Sequence, residues 1–397
     1  MILTHLRSFI LRSNSCIHTI VISLTVLLFF SISAQAEVML SSQAEITNKL
    51  QVSSKIKIGA TEKAWLLADQ PTTGYYNPDK SFRYNSVGNP ISVQHVAIGL
   101  YQVFIPGMGT MNGSTHVTAY GGNHRCKPTN LYAGSLGLTI FVRCWDNRNL
   151  TNDKFTLLFY KQSDISTVLE DGYVFANDPS SADYIPDPAR QWNSKGGTNT
   201  IQRLDVGQYQ ITMPNLNTIG GTVLVTAFGW GSERCKVVNW VPRTQGTVIR
   251  VNCFAANGSA VDTRFTISYM SDVIMGEYSV LGYFKGAYVW ANSPTNLFYT
   301  PSATYQHNNA TIDLTKIIRY NTGAYEVGFR SLPGSDSTSS QVTAYGRGNE
   351  YCNIDKWYES RGRTLAYYQC YSNSGLPVDS KFTATYLTNE RIPLVFK

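Results

Sequence analysis

The stretch Val225-Thr-Ala-Phe-Gly229 occurs three times in the chain with almost no change, and this repetition is the strongest indication of the fold. Its counterparts are Val117-Thr-Ala-Tyr-Gly121 and Val342-Thr-Ala-Tyr-Gly346. The offsets between them, about 110 residues, are domain-sized and far above the 20 to 50 residues of a solenoid or propeller unit. The 397-residue chain is therefore predicted to contain a tandem repeat of one module in three copies.

Other landmarks recur in the same register on both sides of this stretch. Each copy opens on a segment that ends in a proline, and a Gly-x-Tyr triplet precedes the Val-Thr-Ala stretch. The prolines are Pro71, Pro179 and Pro294. The predicted β modules are residues 63–162, 171–271 and 286–388, called the first, second and third copy below. The joints between them are short and not Gly/Ser-rich, so we expect a semi-rigid row of modules.

Apolar and polar residues alternate inside each copy. Tyr209, Ile211 and Met213 fall on one face of a predicted strand, and Gln210 and Thr212 fall on the other. Short strands of this kind, separated by Gly, Pro, Asn and Ser clusters, predict an antiparallel sandwich or small barrel. We favour an all-β fold of three tandem antiparallel β-sandwich modules of immunoglobulin-like size, with almost no helix.

Each copy contains two cysteines at an identical spacing. The pairs are Cys126 and Cys144, Cys235 and Cys253, and Cys352 and Cys370. Six cysteines can pair in 15 ways, but the repeated spacing favours one disulfide bond within each module. Two strands around a short turn would bring such a pair side by side. A zinc site would need further Cys or His at ligand spacing, so we expect neither a metal nor another cofactor.

The same spacing limits the type of sandwich. A bridge of the immunoglobulin type joins two sheets across several intervening strands, which the short segment between paired cysteines cannot hold. Trp240 and Trp357 lie between paired cysteines, and we interpret them as local packing.

The first 36 residues have the pattern of a secretory signal peptide. Arg7 and Arg12 precede the apolar run 19–32, and Ala34-Gln35-Ala36 is a small-x-small cleavage site. The alternative, an N-terminal membrane anchor, is disfavoured because the apolar run is shorter than the ~20 residues of a spanning helix. Cleavage would also remove Cys16.

We therefore expect a secreted, periplasmic or cell-surface protein, in an oxidising compartment that permits disulfides. A polar leader is expected at residues 37–62. No second long apolar run follows, so no transmembrane segment is predicted in the mature chain.

The charge of the chain disfavours nucleic acid as a partner. The formal net charge is +7, and loss of Arg7 and Arg12 with the signal peptide lowers it by two. No block of five or six like charges occurs, so the chain lacks the dense basic patch of a nucleic-acid binder.

Catalytic motifs are missing from the sequence. It has no H-E-x-x-H, no G-x-S-x-G, no phosphate-binding loop and no dinucleotide fingerprint. The four histidines of the mature chain are His95, His116, His124 and His307. The position of His116 holds Leu224 and Gln341 in the other copies, which favours a packing role over catalysis or metal binding.

One acidic position recurs before the last strand of two copies. Asp262 and Asp379 occupy it, but the first copy has Asn152. An amide cannot act as a general acid, so a shared catalytic role is disfavoured. We interpret these residues as acceptors of backbone N–H bonds at a turn, a task that asparagine also performs.

Trp230 is the one aromatic residue singled out as a ligand contact. It lies in a Gly-flanked turn where the other copies have Gly122 and Arg347. An exposed indole there could stack on a sugar or anchor a protein partner. The alternative is an indole that packs against its own module or a neighbouring one. By contrast, the recurring Trp145, Phe254 and Tyr371 are predicted to be scaffold.

The three copies resemble tandem modules of uncharacterised secreted bacterial proteins. In these a Tyr-x-Trp-Ala-x-x-Pro start, a Val-Thr-Ala-Tyr-Gly strand, two cysteines and a Val-Asp-Ser-x-Phe-Thr close recur. The resemblance covers about residues 63 to 388, and it implies repetition and export but no activity and no catalytic residue. The first copy departs from it at Asn152, and at Leu131 where the others have tryptophan.

These observations favour a non-enzymatic binding or adhesion protein, secreted or at the cell surface. Its repeated modules would engage glycan or protein partners through weak sites that gain avidity by repetition. One alternative is a structural spacer or envelope component without a dedicated ligand. The other is a secreted hydrolase with a site at a module junction, using Asp262 or His124.

Overall fold

Strands make up nearly all of the regular structure of the described residues. The computed structural model describes residues 62–162, 170–274, 278–279, 282–332 and 337–392. The predicted signal peptide, Cys16 and all of the predicted leader except Glu62 lie outside the described residues. Within the described ranges the helical elements are three 3-10 turns of three residues each, and no helix is long or apolar enough to cross a membrane.

The first copy supplies ten strands. They are β1 (Glu62–Ala68), β2 (Tyr75–Tyr76), β3 (Arg83–Asn85), β4 (Ser92–Ala97), β5 (Leu100–Pro106), β6 (Ser114–Tyr120), β7 (Arg125–Gly134), β8 (Gly137–Asp146), β9 (Asn149–Leu150) and β10 (Lys154–Lys161), with a 3-10 turn at Lys80–Phe82. Strands β3-β1-β10-β6 pair in this order at one end of a nine-stranded sheet, and strands β2-β4-β5-β8-β7 pair in this order in a second sheet.

The second copy repeats this arrangement with nine strands. They are β11 (Glu170–Ala176), β12 (Asp183–Tyr184), β13 (Gln191–Asn193), β14 (Thr200–Asp205), β15 (Gln208–Pro214), β16 (Thr222–Phe228), β17 (Arg234–Arg243), β18 (Gly246–Phe254) and β19 (Arg264–Ser271), with a 3-10 turn at Pro188–Arg190. The two strand orders are β13-β11-β19-β16 and β12-β14-β15-β18-β17.

The third copy has ten strands in the same order. They are β20 (Tyr278–Ser279), β21 (Gly282–Ala291), β22 (Phe298–Tyr299), β23 (Gln306–Asn308), β24 (Lys316–Asn321), β25 (Ala324–Arg330), β26 (Thr338–Tyr345), β27 (Tyr351–Ser360), β28 (Arg363–Tyr371) and β29 (Lys381–Ile392), with a 3-10 turn at Ala303–Tyr305. Strands β23-β21-β29-β26 pair in sequence, as do β22-β24-β25-β28-β27. In each copy we call the first group the inner sheet and the second the outer sheet.

The alternation predicted from the sequence is confirmed. Tyr209, Ile211 and Met213 are buried in an apolar cluster that also contains Val174 and Phe265, so residues of both sheets of the second copy contribute to it. Comparable clusters are built from the first and third copies.

The three disulfides are also confirmed. Each joins the two cysteines of one copy across a neighbouring pair of strands in the outer sheet: Cys126 to Cys144, Cys235 to Cys253 and Cys352 to Cys370. In each pair the two residues face each other directly in the strand register. The bridge closes a short hairpin loop, and on chain-entropy grounds it stabilises such a loop by about 3 kcal/mol.

The expected row of modules is wrong, because the third copy returns to the first. The glycine of the Val-Thr-Ala stretch directly follows the inner edge strand of each copy, and its N–H donates to a carbonyl on the outer edge strand of another copy. The three bonds run from Gly121 to Ile354 (2.8 Å), from Gly229 to Pro128 (3.0 Å) and from Gly346 to Val237 (2.8 Å). An open edge leaves backbone groups unpaired, and each copy covers the edge of the next.

Buried threonines connect the inner sheets of the copies. One threonine on the last strand of each copy donates its hydroxyl to a backbone carbonyl of another copy: Thr156 to Ser340 (3.0 Å), Thr266 to Thr115 (2.7 Å) and Thr383 to Val223 (2.6 Å). All three side chains are buried. Burial of these three hydroxyls is tolerated because each of them is hydrogen-bonded.

Aromatic residues fill the space beside these contacts. Trp240 packs against Trp290 and Tyr345 of the third copy, with ring centroids 5.5 Å away in both cases. Trp357 lies 5.4 Å from Tyr120 of the first copy. The interpretation of these two tryptophans as local packing is therefore wrong, since both pack across a boundary between copies.

The Trp240→Ala substitution tests this packing. We expect it to lower the free energy of unfolding by about 3–5 kcal/mol, because it opens a cavity among aromatic rings from two copies. Guanidinium denaturation with the disulfides intact, followed by near-ultraviolet circular dichroism, should show a single transition for the variant. The Trp230→Ala control removes a half-exposed indole and should cost at most about 1 kcal/mol. Two separate transitions, or equal small losses, would contradict the described packing.

Candidate functional site

The outer sheet of the third copy exposes a row of three tyrosines. Alternation along β25 turns Tyr325 into the core and Glu326 outward, and β28 likewise buries Tyr368 and turns Tyr367 outward. Glu326 and Tyr367 are direct partners in the register of β25 and β28. Tyr320 sits at a register shift in β24 beside them.

The three rings lie nearly parallel. The centroid of Tyr367 is 5.7 Å from that of Tyr358 and 6.3 Å from that of Tyr320, with interplanar angles of 19° and 18°. The ammonium of Lys356 lies 5.1 Å from the centre of the Tyr367 ring. Tyr320 and Tyr358 are each about half exposed, so aromatic surface is available to a ligand. We call these residues, with Glu326, the tyrosine row.

A single carboxylate oxygen organises the row. The hydroxyls of Tyr320 and Tyr367 both donate to Oε2 of Glu326, at 2.6 and 2.7 Å. The hydroxyl of Tyr358 lies 2.9 Å from that of Tyr367. Glu326 is only 6% exposed, so its charge is held among hydroxyl donors beneath the rings. Charge-assisted bonds of this kind fix side-chain orientation.

The same network raises the pKa of two of the three phenols, Tyr320 and Tyr367. The hydrogen bond to Glu326 raises the pKa of Tyr320, with burial adding to the effect. Burial is the main cause of the raised pKa of Tyr367, to which the bonds with Tyr358 and Glu326 add. The row therefore offers neutral hydroxyls and ring faces, which suit hydrogen bonding and stacking rather than proton transfer at neutral pH.

The equivalent face differs in the first two copies. In the first copy, Tyr132 packs on Phe141 at 5.9 Å, and Gln102 stands opposite Phe141 in the register. In the second copy the corresponding register partners are Gln210 and Arg250. There the face forms a polar hollow of about 780 Å³, whose lining includes Gln210, Arg250 and Arg347. Three equivalent surfaces thus carry three different chemistries.

Trp230 contacts a neighbouring copy. The guanidinium carbon of Arg143, on β8 of the first copy, lies 4.3 Å from the centre of the indole, and Arg143 also donates to the Trp230 carbonyl (3.3 Å). The indole is 53% exposed. Part of its surface thus serves the boundary between copies and part faces solvent.

The recurring acidic position anchors a turn. The carboxylate of Asp262 pairs with Arg203 at 2.9 Å and accepts hydrogen bonds from the Gly207 N–H and the Tyr209 hydroxyl. In the first copy, Asn152 accepts from the Gly99 N–H in the same way, at 2.8 Å. The predicted acceptance of a backbone N–H is found, but the donor is the glycine between β14 and β15 and not a residue of the turn before the last strand. The ion pair with Arg203 and the bond from Tyr209 were not predicted.

Asp379 repeats this arrangement in the third copy. Its carboxylate pairs with Arg319 at 2.8 Å and accepts from the Gly323 N–H. The hydrogen bond from Arg319 is the largest cause of the lowered pKa of Asp379. A carboxylate held this way is a weak base and is engaged on several sides.

The histidines lie in separate surroundings. His116 is fully buried between copies, 2.7 Å from the Ser268 hydroxyl, and burial lowers its pKa to about 3. His124 pairs with Asp153 at 3.3 Å. The His95 ring contacts Asn152, and His307 stacks on Tyr288. Within the described ranges, no group of three His, Cys, Asp or Glu side chains could hold a metal ion.

Comparison with known proteins gives no match: no family model, no curated protein and no solved structure is similar to the chain.

Sequence reasoning missed the tyrosine row. The outward residues of β25 and β28 could be read from the alternation, because Tyr325 and Tyr368 take the inward positions. What the sequence does not carry is the register that sets Glu326 against Tyr367, and the shifts that bring in Tyr320 and Tyr358.

The Asp379→Asn substitution tests the turn-anchoring role through its pH dependence. Because the pKa of Asp379 is lowered in the folded state, its ionised form contributes stability above the ordinary aspartate value of about 4. That contribution is lost as the pH falls through the folded pKa. Urea denaturation from pH 7 to pH 2 should show a shallower acid decline for the variant than for the wild type. Asp313→Asn, in an exposed ion pair, should leave the slope unchanged; identical slopes for all three proteins would refute the role.

Proposed function

We propose that this protein is an exported, non-enzymatic binding protein whose principal ligand is a glycan, bound on the tyrosine row of the third copy. In this proposal the three copies are β-sandwich modules packed around a common axis as a single-chain pseudo-trimer. The observation that carries it is the pairing of half-exposed, nearly parallel tyrosine rings with one buried carboxylate.

A sugar ring suits this surface. Its apolar C–H face can lie on an aromatic ring, while its hydroxyls donate to or accept from the tyrosine hydroxyls. Glu326 already fixes two of those hydroxyls, so little ordering of side chains is needed on binding. Lys356 supplies a cation beside the rings for a polar or acidic substituent.

Export is supported by the disulfides. Three bridges within one chain are typical of an oxidising compartment, and the predicted signal peptide provides the route. The resemblance to secreted bacterial modules agrees with this proposal.

The spacer hypothesis gives no reason for the tyrosine row, which the glycan proposal explains. A passive spacer requires stable packing, but it does not require rings held parallel and half exposed over a buried acid. The hydrolase hypothesis relied on Asp262 and His124. The Asp262 carboxylate is engaged by Arg203, and the His124 ring lies 3.3 Å from the Asp153 carboxylate, in a different copy from Asp262.

Avidity between identical sites is not part of the proposal. The equivalent face holds Phe141 in the first copy, Arg250 in the second and Tyr367 in the third, so one ligand would not fit all three equally. Trp230 is proposed as a secondary contact, because Arg143 already lies over its ring.

A pair of matched variants tests the glycan site. Tyr358 and Tyr132 occupy equivalent positions and are similarly exposed, at 46% and 50%. We expect a glycan array of the wild-type protein to yield at least one ligand. Titration calorimetry with that ligand should show Tyr358→Ala weakening binding at least tenfold, the equivalent of about 1.4 kcal/mol, and Tyr132→Ala binding as the wild type does. A blank array, or equal losses in both variants, would overturn the proposal.

A further inference from the structure

A second site lies where the three copies meet. A cavity of about 70 Å³ is lined by corresponding residues of all three copies, among them Arg125, Arg234 and Tyr351. The guanidinium carbons of the two arginines lie 5.3 and 5.5 Å from the centre of the Tyr351 ring. Two buried guanidinium groups therefore flank one ring at the common axis.

The lysines beside these arginines are already neutralised. Lys127 pairs with Glu233 at 2.6 Å, and Lys236 pairs with Glu350 at 2.7 Å. The third equivalent position holds Asn353, which donates to the carbonyls of Gly122 and His124 instead of forming an ion pair. The two carboxylates thus balance the two lysines, and the charges of the two arginines are left over.

Two charged groups outside these pairs act on the cluster. Asp146 acts on Arg125 and Arg264 acts on Lys127, one charge of each sign, and Glu350, which pairs with Lys236, also acts on Arg234.

The two arginines differ in their hydrogen bonds. Arg234 donates to the carbonyls of Asn349 and Ala255 and to the Asn373 side chain. Arg125 donates once, from its terminal nitrogen to the Asn147 carbonyl at 2.7 Å. Its Nε is buried and has no hydrogen-bond partner among the described residues. Arg125 is only 8% exposed, so water cannot easily satisfy it.

Two buried guanidinium groups without an opposite charge, Arg125 and Arg234, destabilise the folded state. Burial lowers the pKa of Arg234 to about 10, and repulsion from Arg125 adds to this effect. Burial also lowers the pKa of Arg125. Removing charges from water requires compensation by opposite charge and by hydrogen bonds. A planar guanidinium with a free donor is suited to an oxyanion.

We propose that the cavity at the common axis binds one small divalent oxyanion of the sulfate or hydrogen phosphate type, held by Arg125 and Arg234. The anion neutralises the two remaining positive charges and accepts the free Nε–H of Arg125. It would thereby join the first and second copies beside Tyr351 of the third. This site is separate from the tyrosine row and does not depend on the glycan proposal.

Sulfate and phosphate are the probes for this site. Titration calorimetry of the full exported chain at pH 7, with sodium chloride at matched ionic strength as the reference, should show saturable binding of one anion per chain. Thermal denaturation should show a rise in Tm that saturates over the same concentration range. Saturation matters because sulfate also stabilises proteins without binding, and that effect keeps growing with concentration.

Variants at Arg125 locate the anion. Arg125→Gln should weaken binding at least tenfold, and Arg125→Lys, which keeps the charge, should retain part of it. Arg243→Gln removes one exposed arginine elsewhere and should bind as the wild type does. Near-ultraviolet circular dichroism checks that each variant is folded. Absence of saturable binding of both anions to the wild type, or undiminished binding to Arg125→Gln, would overturn the proposal.

Discussion

A backbone hydrogen bond just beyond each inner edge strand holds one copy against another. The N–H of the glycine in each Val-Thr-Ala stretch donates to a backbone carbonyl on the outer edge strand of another copy. Three such bonds connect the first copy to the third, the second to the first and the third to the second. Closure then buries the threonine hydroxyls, the Trp240 cluster and His116 between copies. The glycine recurs because φ is positive at all three positions, at 85°, 128° and 115°, which L side chains rarely adopt.

The contacts between copies leave two kinds of surface, one buried between copies and one exposed on the outer sheets. Residues that lie between copies pack against a neighbouring copy, while the exposed faces of the outer sheets carry different residues in each copy. The face that holds Tyr367 in the third copy holds Arg250 in the second and Phe141 in the first. Where the copies meet, the third copy has Tyr351 in place of an arginine and Asn353 in place of a lysine. Both carboxylates there pair with lysines, so the charges of Arg125 and Arg234 are left without a partner of opposite charge. Both proposed sites therefore arise where one copy departs from its counterparts.

Much of the fold could be predicted from the sequence, because local rules decide it. Alternation identified the strands, repeated spacing identified the disulfides, and Asn152 correctly indicated a turn-anchoring role for Asp262. The prediction of how the copies contact one another was wrong. Trp240 was interpreted as local packing because a sequence shows that a tryptophan recurs but not which copy it touches. The tyrosine row depends on the register between strands, and the cavity with Arg125 and Arg234 depends on contacts between copies. Neither the register nor these contacts can be read from a local sequence pattern.

The most direct test of closure is the overall size of the chain in solution. Small-angle X-ray scattering of the monomeric exported protein should give a radius of gyration of about 21 Å, the value for a compact chain of this length. Three domains in a row, each with a radius of gyration of about 13 Å, would give an overall radius of gyration of roughly 30 Å. A value near 21 Å is the result predicted here, and a value near 30 Å would contradict the closed arrangement.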